Sequence, residues 1–160
     1  MNGENPRRLT SSSAIDTEPI YSADGRSIYF VSDRGGGPQI YRMPAAGGAV
    51  ERVTFAGSYN ISPSLSPDGR LLAYVNRSNG NTFRVMVLDL GSAGASPQPV
   101  TDTSEDEHPS FAPNGRLLVY ATRSQGHDVL MTTTVDGKIK ARLASPAADV
   151  REPAWGPYGR

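Results

Sequence analysis

Ser62-Pro63-Ser64-Leu65-Ser66-Pro67-Asp68-Gly69-Arg70-Leu71-Leu72-Ala73-Tyr74-Val75 decides the fold. A proline opens a short extended run, where its missing N–H costs least. Asp68-Gly69 then supplies the left-handed backbone of a tight hairpin turn. The apolar run from Leu71 to Val75 returns as a second strand. The same order recurs on both sides. Glu18-Pro19-Ile20-Tyr21, His108-Pro109-Ser110-Phe111 and Glu152-Pro153-Ala154-Trp155 repeat the proline-led run. Ala23-Asp24-Gly25-Arg26, Pro113-Asn114-Gly115-Arg116 and Pro157-Tyr158-Gly159-Arg160 repeat the turn. The four prolines stand 44, 46 and 44 residues apart, and the four turn glycines keep that spacing. Two tokens in register four times make a repeat.

Each unit predicts four short strands. After the apolar second strand comes a polar loop with glycine, such as Asp33-Arg34-Gly35-Gly36-Gly37. Third strands follow at Gln39-Ile40-Tyr41-Arg42-Met43, Phe83-Arg84-Val85-Met86-Val87 and Val129-Leu130-Met131. Fourth strands end in Val53-Thr54, Val100-Thr101 and Leu143-Ala144. Four strands per repeat of this length are the pattern of a β-propeller blade. A β-sandwich does not repeat at blade length, and no segment sustains an apolar helical period. The expectation is an all-β, partial β-propeller: three four-stranded blades plus fractions of a blade at both ends. Residues 1–10 read as the tail of a truncated blade. Residues 11–54, 55–101 and 102–144 read as blades, and 145–160 as a C-terminal closing strand. Tyr29, Tyr41, Tyr74, Tyr120 and Phe111 fall at apolar strand positions and are expected in the packing between blades.

Composition removes several function classes. The 160 residues carry 16 Lys and Arg against 16 Asp and Glu. A neutral chain has no global field for nucleic acid or anionic lipid, so neither nucleic-acid binding nor membrane insertion is expected. There is no cysteine, which excludes disulfides, thiolate metal sites and a cysteine nucleophile. No apolar run approaches a membrane span. The first ten residues have no apolar segment, so no signal peptide is expected in this chain.

These repeats resemble the TolB family, periplasmic propeller proteins of the Tol-Pal system in Gram-negative bacteria. The resemblance runs in order along the chain. It rests on Thr17-Glu18-Pro19, Ser32-Asp33-Arg34-Gly35-Gly36, Pro38-Gln39-Ile40-Tyr41, Gly47-Gly48 and Arg52-Val53-Thr54. It is most specific at Asp106-Glu107-His108-Pro109-Ser110-Phe111-Ala112-Pro113-Asn114-Gly115, at Asp136-Gly137-Lys138 and at the ending Glu152-Pro153-Ala154-Trp155-Gly156-Pro157-Tyr158. Ala23, Asn114 and Tyr158 depart from the repeat's usual residues. The resemblance implies a parent with a six-bladed propeller behind a smaller α/β domain. This chain would then lack that domain, its TolA-interacting segment and about half the propeller. Two copies together would make six blades, so a homodimer of half-propellers is expected, with weak Pal binding by a monomer.

Catalytic signals are weak. His108 and His127 are the two histidines, and no Gly-x-Ser-x-Gly elbow accompanies them. Gly35-Gly36-Gly37 has no helix behind it to hold a phosphate. No cofactor is expected. Asp102, Glu105, Asp106 and Glu107 form the densest charge run. It reads as a solvated loop, a partner-facing loop or, with oxygen ligands but no EF-hand spacing, a calcium site. Asp16 and Glu18, Glu105, Asp106 and Glu107, and Asp149 with Glu152 lie in the loops entering the first strands, while Arg34, Arg77 and Arg123 lie between second and third strands. In a propeller these loops share one face, which predicts an acidic ring beside an arginine ring around the pore. Such rings suit a polar protein partner or pair with each other between blades.

The resemblance implies more. In the family, Pal, the peptidoglycan-associated lipoprotein, binds at the pore mouth, and Thr17 matches a position tied to that binding. Asn60, Ile61, Glu107, His108, Arg151 and Glu152 occupy matching loop positions. The implied function is non-enzymatic protein–protein interaction in the periplasm with Pal and other Tol proteins, serving outer-membrane integrity and cell division; colicins use the same family surface. The competing readings are the accessory propeller of a prolyl-oligopeptidase-like hydrolase, and a fragment studied for assembly.

Overall fold

The computed structural model describes residues 5–78, 80–143 and 149–156. Its described residues contain twelve strands and no helix. The first sheet holds β1 (Asp16–Tyr21), β2 (Ser27–Ser32), β3 (Gln39–Pro44) and β4 (Glu51–Arg52). The second holds β5 (Asn60–Leu65), β6 (Leu71–Ser78), β7 (Thr82–Asp89) and β8 (Gln98–Pro99). The third holds β9 (Glu107–Phe111), β10 (Leu117–Ser124), β11 (His127–Thr134) and β12 (Lys140–Arg142). Each sheet follows chain order, and every pairing is antiparallel. These are the blades of a partial propeller.

The hairpin turns form as their chemistry dictates. Gly25, Gly69 and Gly115 have φ of 68°, 72° and 67°, a region glycine enters without steric cost. The preceding Asp24, Asp68 and Asn114 side chains accept the N–H of Arg26, Arg70 and Arg116 at 3.0, 3.0 and 2.9 Å. Such bonds lock the turn from within.

Blades stack through their faces. Tyr29, Val31 and Ile40 of the first sheet pack on Leu72 and Tyr74 of the second. Ala73, Val85, Val87 and Val100 pack on Phe111, Leu118 and Tyr120 of the third. Along β6 the alternation of side chains therefore sends Leu72 and Tyr74 to one neighbour and Ala73 to the other, the strand period used on both faces. All five aromatics expected in the packing between blades are buried, and Tyr29, Tyr74, Tyr120 and Phe111 do lie between blades. Tyr41 does not: it packs with Ile28, Phe30 and Met43 within the first blade, on the other face of its sheet.

Residues 149–156 form no strand. A first strand in this repeat pairs with the apolar second strand of its own blade, as β1 does with β2. The segment is tethered instead by single bonds, Val150 N–H to Asp128 O at 3.3 Å and Trp155 N–H to the Ser110 hydroxyl at 3.1 Å. Residues 145–148 and 157–160 of that expected closing strand, residue 144 at the end of the third expected blade, and 1–4 of the expected tail lie outside the described residues.

Candidate functional site

The first strand of each blade carries a bulge. Register shifts between Thr17 and Ile20 in β1, between Ile61 and Ser64 in β5, and opposite Val119–Ala121 in β9. At each bulge the residue before the proline is left-handed: Glu18, Ser62 and His108 have φ of 51°, 54° and 48°, and Glu152 repeats this at 52°. None is a glycine. A left-handed non-glycine residue costs roughly 1–2 kcal/mol, and bulges re-aim side chains beside functional sites. Here four re-aimed residues meet. Glu18, Ser62, His108 and Glu152, with their prolines, line one cavity of about 480 Å³.

The cavity wall links blades directly. The Glu18 carboxylate accepts the Ser62 N–H at 2.5 Å, from one blade to the next. The His108 Nδ1 atom is buried without a hydrogen-bond partner among the described residues. Thr17 stands exposed beside Glu18 at the start of β1.

The other expected site residues divide sharply. Ile61 and Glu107, both half-buried, line a smaller adjoining cavity together with Glu18 and His108. Asn60 is wholly buried and bonded inside the joint between the first two blades: its amide donates to Gln39 Oε1 at 2.7 Å and Ala56 O at 2.9 Å, and its Oδ1 accepts from Asn76 at 2.8 Å. Its side chain is therefore part of the internal architecture. Arg151 is held by the Asp128 carboxylate, which raises the guanidinium's affinity for its proton.

The arginines do not form one ring of equivalent groups. Arg34 pairs with Asp16 at 2.8 and 3.1 Å, within one blade, and lies 5.2 Å from the ring centres of both Phe30 and Tyr41. Burial of Asp16 disfavours its charge, but hydrogen bonds from Ser32, Arg34 and Thr10 outweigh it and hold the carboxyl below its ordinary range. Arg77 stacks 4.3 Å over Tyr59, and Arg123 caps Gly126 O at 3.2 Å. Asp16–Arg34 pairing occurs inside a blade, whereas the sequence reading allowed for pairing between blades. Asp149 accepts the Asp128 N–H at 3.0 Å, and that bond lowers its carboxyl, aided by His127.

Asp106 is the surprise within the acidic run. It is 0% exposed, and its carboxylate accepts from the Thr101 and Thr103 hydroxyls. Burial pushes its carboxyl upward; the bonds from Thr101 and Thr103 oppose that, and the Asp102 charge adds to it. Beside it, burial and the Asp106 charge raise the Tyr120 hydroxyl to about 12. No three His, Asp or Glu side chains among the described residues are arranged to hold a metal ion.

Comparison with known proteins bears on this geometry. The family model described as the TolB beta propeller domain matches residues 1–159. This chain belongs to the TolB β-propeller family. It is 48% identical over 117 residues to the Tol-Pal system protein TolB of Xanthomonas campestris pv. campestris, covering 73% of this chain and 26% of that protein. The Xanthomonas oryzae pv. oryzae relative is 48% identical over 116 residues, 72% of this chain and 26% of its own length. The chain thus spans about a quarter of the curated relatives it matches. The crystal structure of TolB from Acinetobacter baumannii superposes with a TM-score of 0.85 at 44% identity, over 94% of this chain and 37% of that one. A puromycin-hydrolyzing peptidase of Mycobacterium tuberculosis shares the fold at 20% identity, with a TM-score of 0.71 over 91% of this chain and 25% of that one.

The sequence reading missed the left-handed residues and the burial of Asp106. The repeat held a signal for the second. Asp106 stands three residues before Pro109, as Asn60 does before Pro63 and Asp16 before Pro19.

Proposed function

We propose that this chain is the part of a TolB protein that presents the propeller's axial mouth to Pal in the periplasm, without enzymatic chemistry, in support of outer-membrane integrity and cell division. The convergence of four left-handed side chains on one cavity carries the reading. The cavity offers carboxylates, an imidazole, serine hydroxyls and apolar proline edges, and the Glu18 carboxylate is engaged by the Ser62 backbone N–H, a mixed polar and apolar surface suited to recognition. Titrating the periplasmic domain of Pal into the folded chain tests it by calorimetry. Saturable binding, weakened about tenfold by Thr17→Arg at the exposed rim, supports it. A folded chain that takes up no Pal overturns it.

In isolation two copies would associate through the uncovered side of the first sheet. Tyr21 there is 66% exposed, while Phe111, at the same place in the third sheet and covered by a neighbouring blade, is 6% exposed. That side is shaped to receive a blade, and a second copy supplies one. Light scattering showing a stable monomer at micromolar concentration would reject the association.

A further inference from the structure

A smaller cavity of about 170 Å³ opens beside the axial one, at the joint of the second and third blades. Its floor is apolar and comes from the second blade: Ile61, Val75 and Phe83. Its carboxylates come from the blades on either side, Glu18 from the first and Asp106 and Glu107 from the third. At about 30 Å³ per water its volume is that of roughly six waters. That is below the roughly 300 Å³ where small-molecule sites begin, and it is the scale of one long side chain.

We propose, resting on the reading that this face binds a protein partner, that this cavity is a socket for one lysine side chain of that partner. The stem of a lysine is apolar and its tip is a compact ammonium with three donors. The floor suits the stem. Glu18 and Glu107 suit the tip: Glu18 gives one oxygen to Ser62 N–H and keeps the other, and Glu107 is half-buried. Asp106 lies behind them, bonded by two threonines. The nearby cation is already engaged. Arg151 bonds to Asp128 and only its longer-range field reaches Glu107, so no hydrogen-bonded cation occupies the socket among the described residues, and the His108 imidazole is one of its walls. A neutral partner side chain would leave these carboxylates desolvated and unpaired, so the socket discriminates by charge.

The test is methyl and imidazole NMR on the full chain, titrated with acetyl-Gly-Lys-Gly-amide, with the norleucine and glutamate peptides as controls. The lysine peptide shifts the Ile61 and Val75 methyls saturably; norleucine, with the same stem and no charge, binds at least about threefold more weakly, and glutamate less still. Glu18→Gln and Glu107→Gln each weaken lysine binding about threefold, and together about tenfold, with unchanged circular dichroism. Equal binding of lysine and norleucine, or insensitivity to both substitutions in a folded chain, overturns the socket. Pal that binds the wild type and the double variant equally also overturns it while leaving the wider reading intact. Lysine capture at these methyls without any Pal binding leaves the socket standing and removes Pal as the partner.

Discussion

The two joints between blades occupy equivalent places and are built from different chemistry. Between the first and second blades the buried polar groups are neutral. Gln39 Oε1 accepts from Thr54 at 2.8 Å and from Asn60 at 2.7 Å, and Gln39 donates to Gly57 O at 3.2 Å. Thr54 in turn accepts the Ile40 N–H at 3.0 Å. Between the second and third blades, Thr101 accepts the Val85 N–H at 3.0 Å, as Thr54 does for Ile40, but donates straight to the Asp106 carboxylate. The repeat fixes that a polar group must sit there, because each third strand's N–H and each threonine hydroxyl is buried and needs a partner. It does not fix whether that partner is charged. The amide joint is satisfied at any pH. The carboxylate joint makes its hydrogen bonds at the expense of burying a charge.

The largest expected effect comes from breaking the amide joint. Asn60→Ala removes three hydrogen bonds and leaves Gln39 and Asn76 partly unpaired inside the protein. That costs about 3 kcal/mol, read as a lowered urea midpoint. A loss under about 1 kcal/mol would show that water replaces the side chain. Asp106→Asn, by contrast, keeps an acceptor for Thr101 and removes a buried charge, so its cost at neutral pH stays within about 1 kcal/mol.

A second test presses on backbone packing at the carboxylate joint. Gly137 has φ +71° and an added Cβ would stand 2.9 Å from Val100 Cα, in the neighbouring blade. Gly25 has φ +68° and open space around it. Gly25→Ala then reports the conformational cost alone, about 1 kcal/mol, while Gly137→Ala adds a clash with backbone that cannot step aside, for about 2–3 kcal/mol. Equal thermal shifts for the two would mean that the blades part at no cost.

The pH dependence sharpens the contrast. The Asp106 carboxyl is raised by burial, so the folded chain holds its proton where the unfolded chain has lost it. Between the ordinary value near 3.8 and the folded one, this group's contribution to stability falls as pH rises, and it is recovered in acid. Asp89 works the other way: its hydrogen bond from Arg70 and the Gly91 N–H hold it at about 2, so its contribution is present above 3.8 and lost as pH falls through about 2. Subtracting the denaturation profile of Asp106→Asn from that of the wild type isolates the first effect. The difference should favour the wild type progressively as the pH falls through the raised folded value toward 3.8, and a flat difference would refute the buried charge.

The fold was legible because its signals are local and repeated. Pro63, Asp68-Gly69 and the apolar run to Val75 each dictate backbone geometry within a few residues, and fourfold spacing removes ambiguity. The site was less legible because its decisive facts are nonlocal. The acidic run around Ser104 to Glu107 reads as a solvated loop, a partner-facing loop or a calcium site, yet Asp106 is buried in the joint and bonded to Thr101 of the preceding blade. Nor does sequence announce a left-handed glutamate. Proline normally drives the residue before it toward extended backbone, and at Glu18, Ser62 and His108 the bulge overrides that preference.

The smallest effect belongs to a third solution of the same problem. At Asp16, three residues before its proline, the carboxylate is neither replaced by an amide nor fully enclosed; it pairs with Arg34, whose side chain is 21% exposed against 18% for Asp16. A partly solvated pair of this kind contributes about 1 kcal/mol. Arg34→Ala should lower stability by that amount at low salt. Because Arg34 also lies against Phe30 and Tyr41, part of the loss is packing and persists in high salt. The hydrogen bonds that lower Asp16 act above pH 3.8 and are lost as it is protonated below its folded value, so in acid the gap between wild type and variant narrows to the packing part. If they stay apart there by the full amount, the aromatic contact rather than the ion pair holds the start of the first blade.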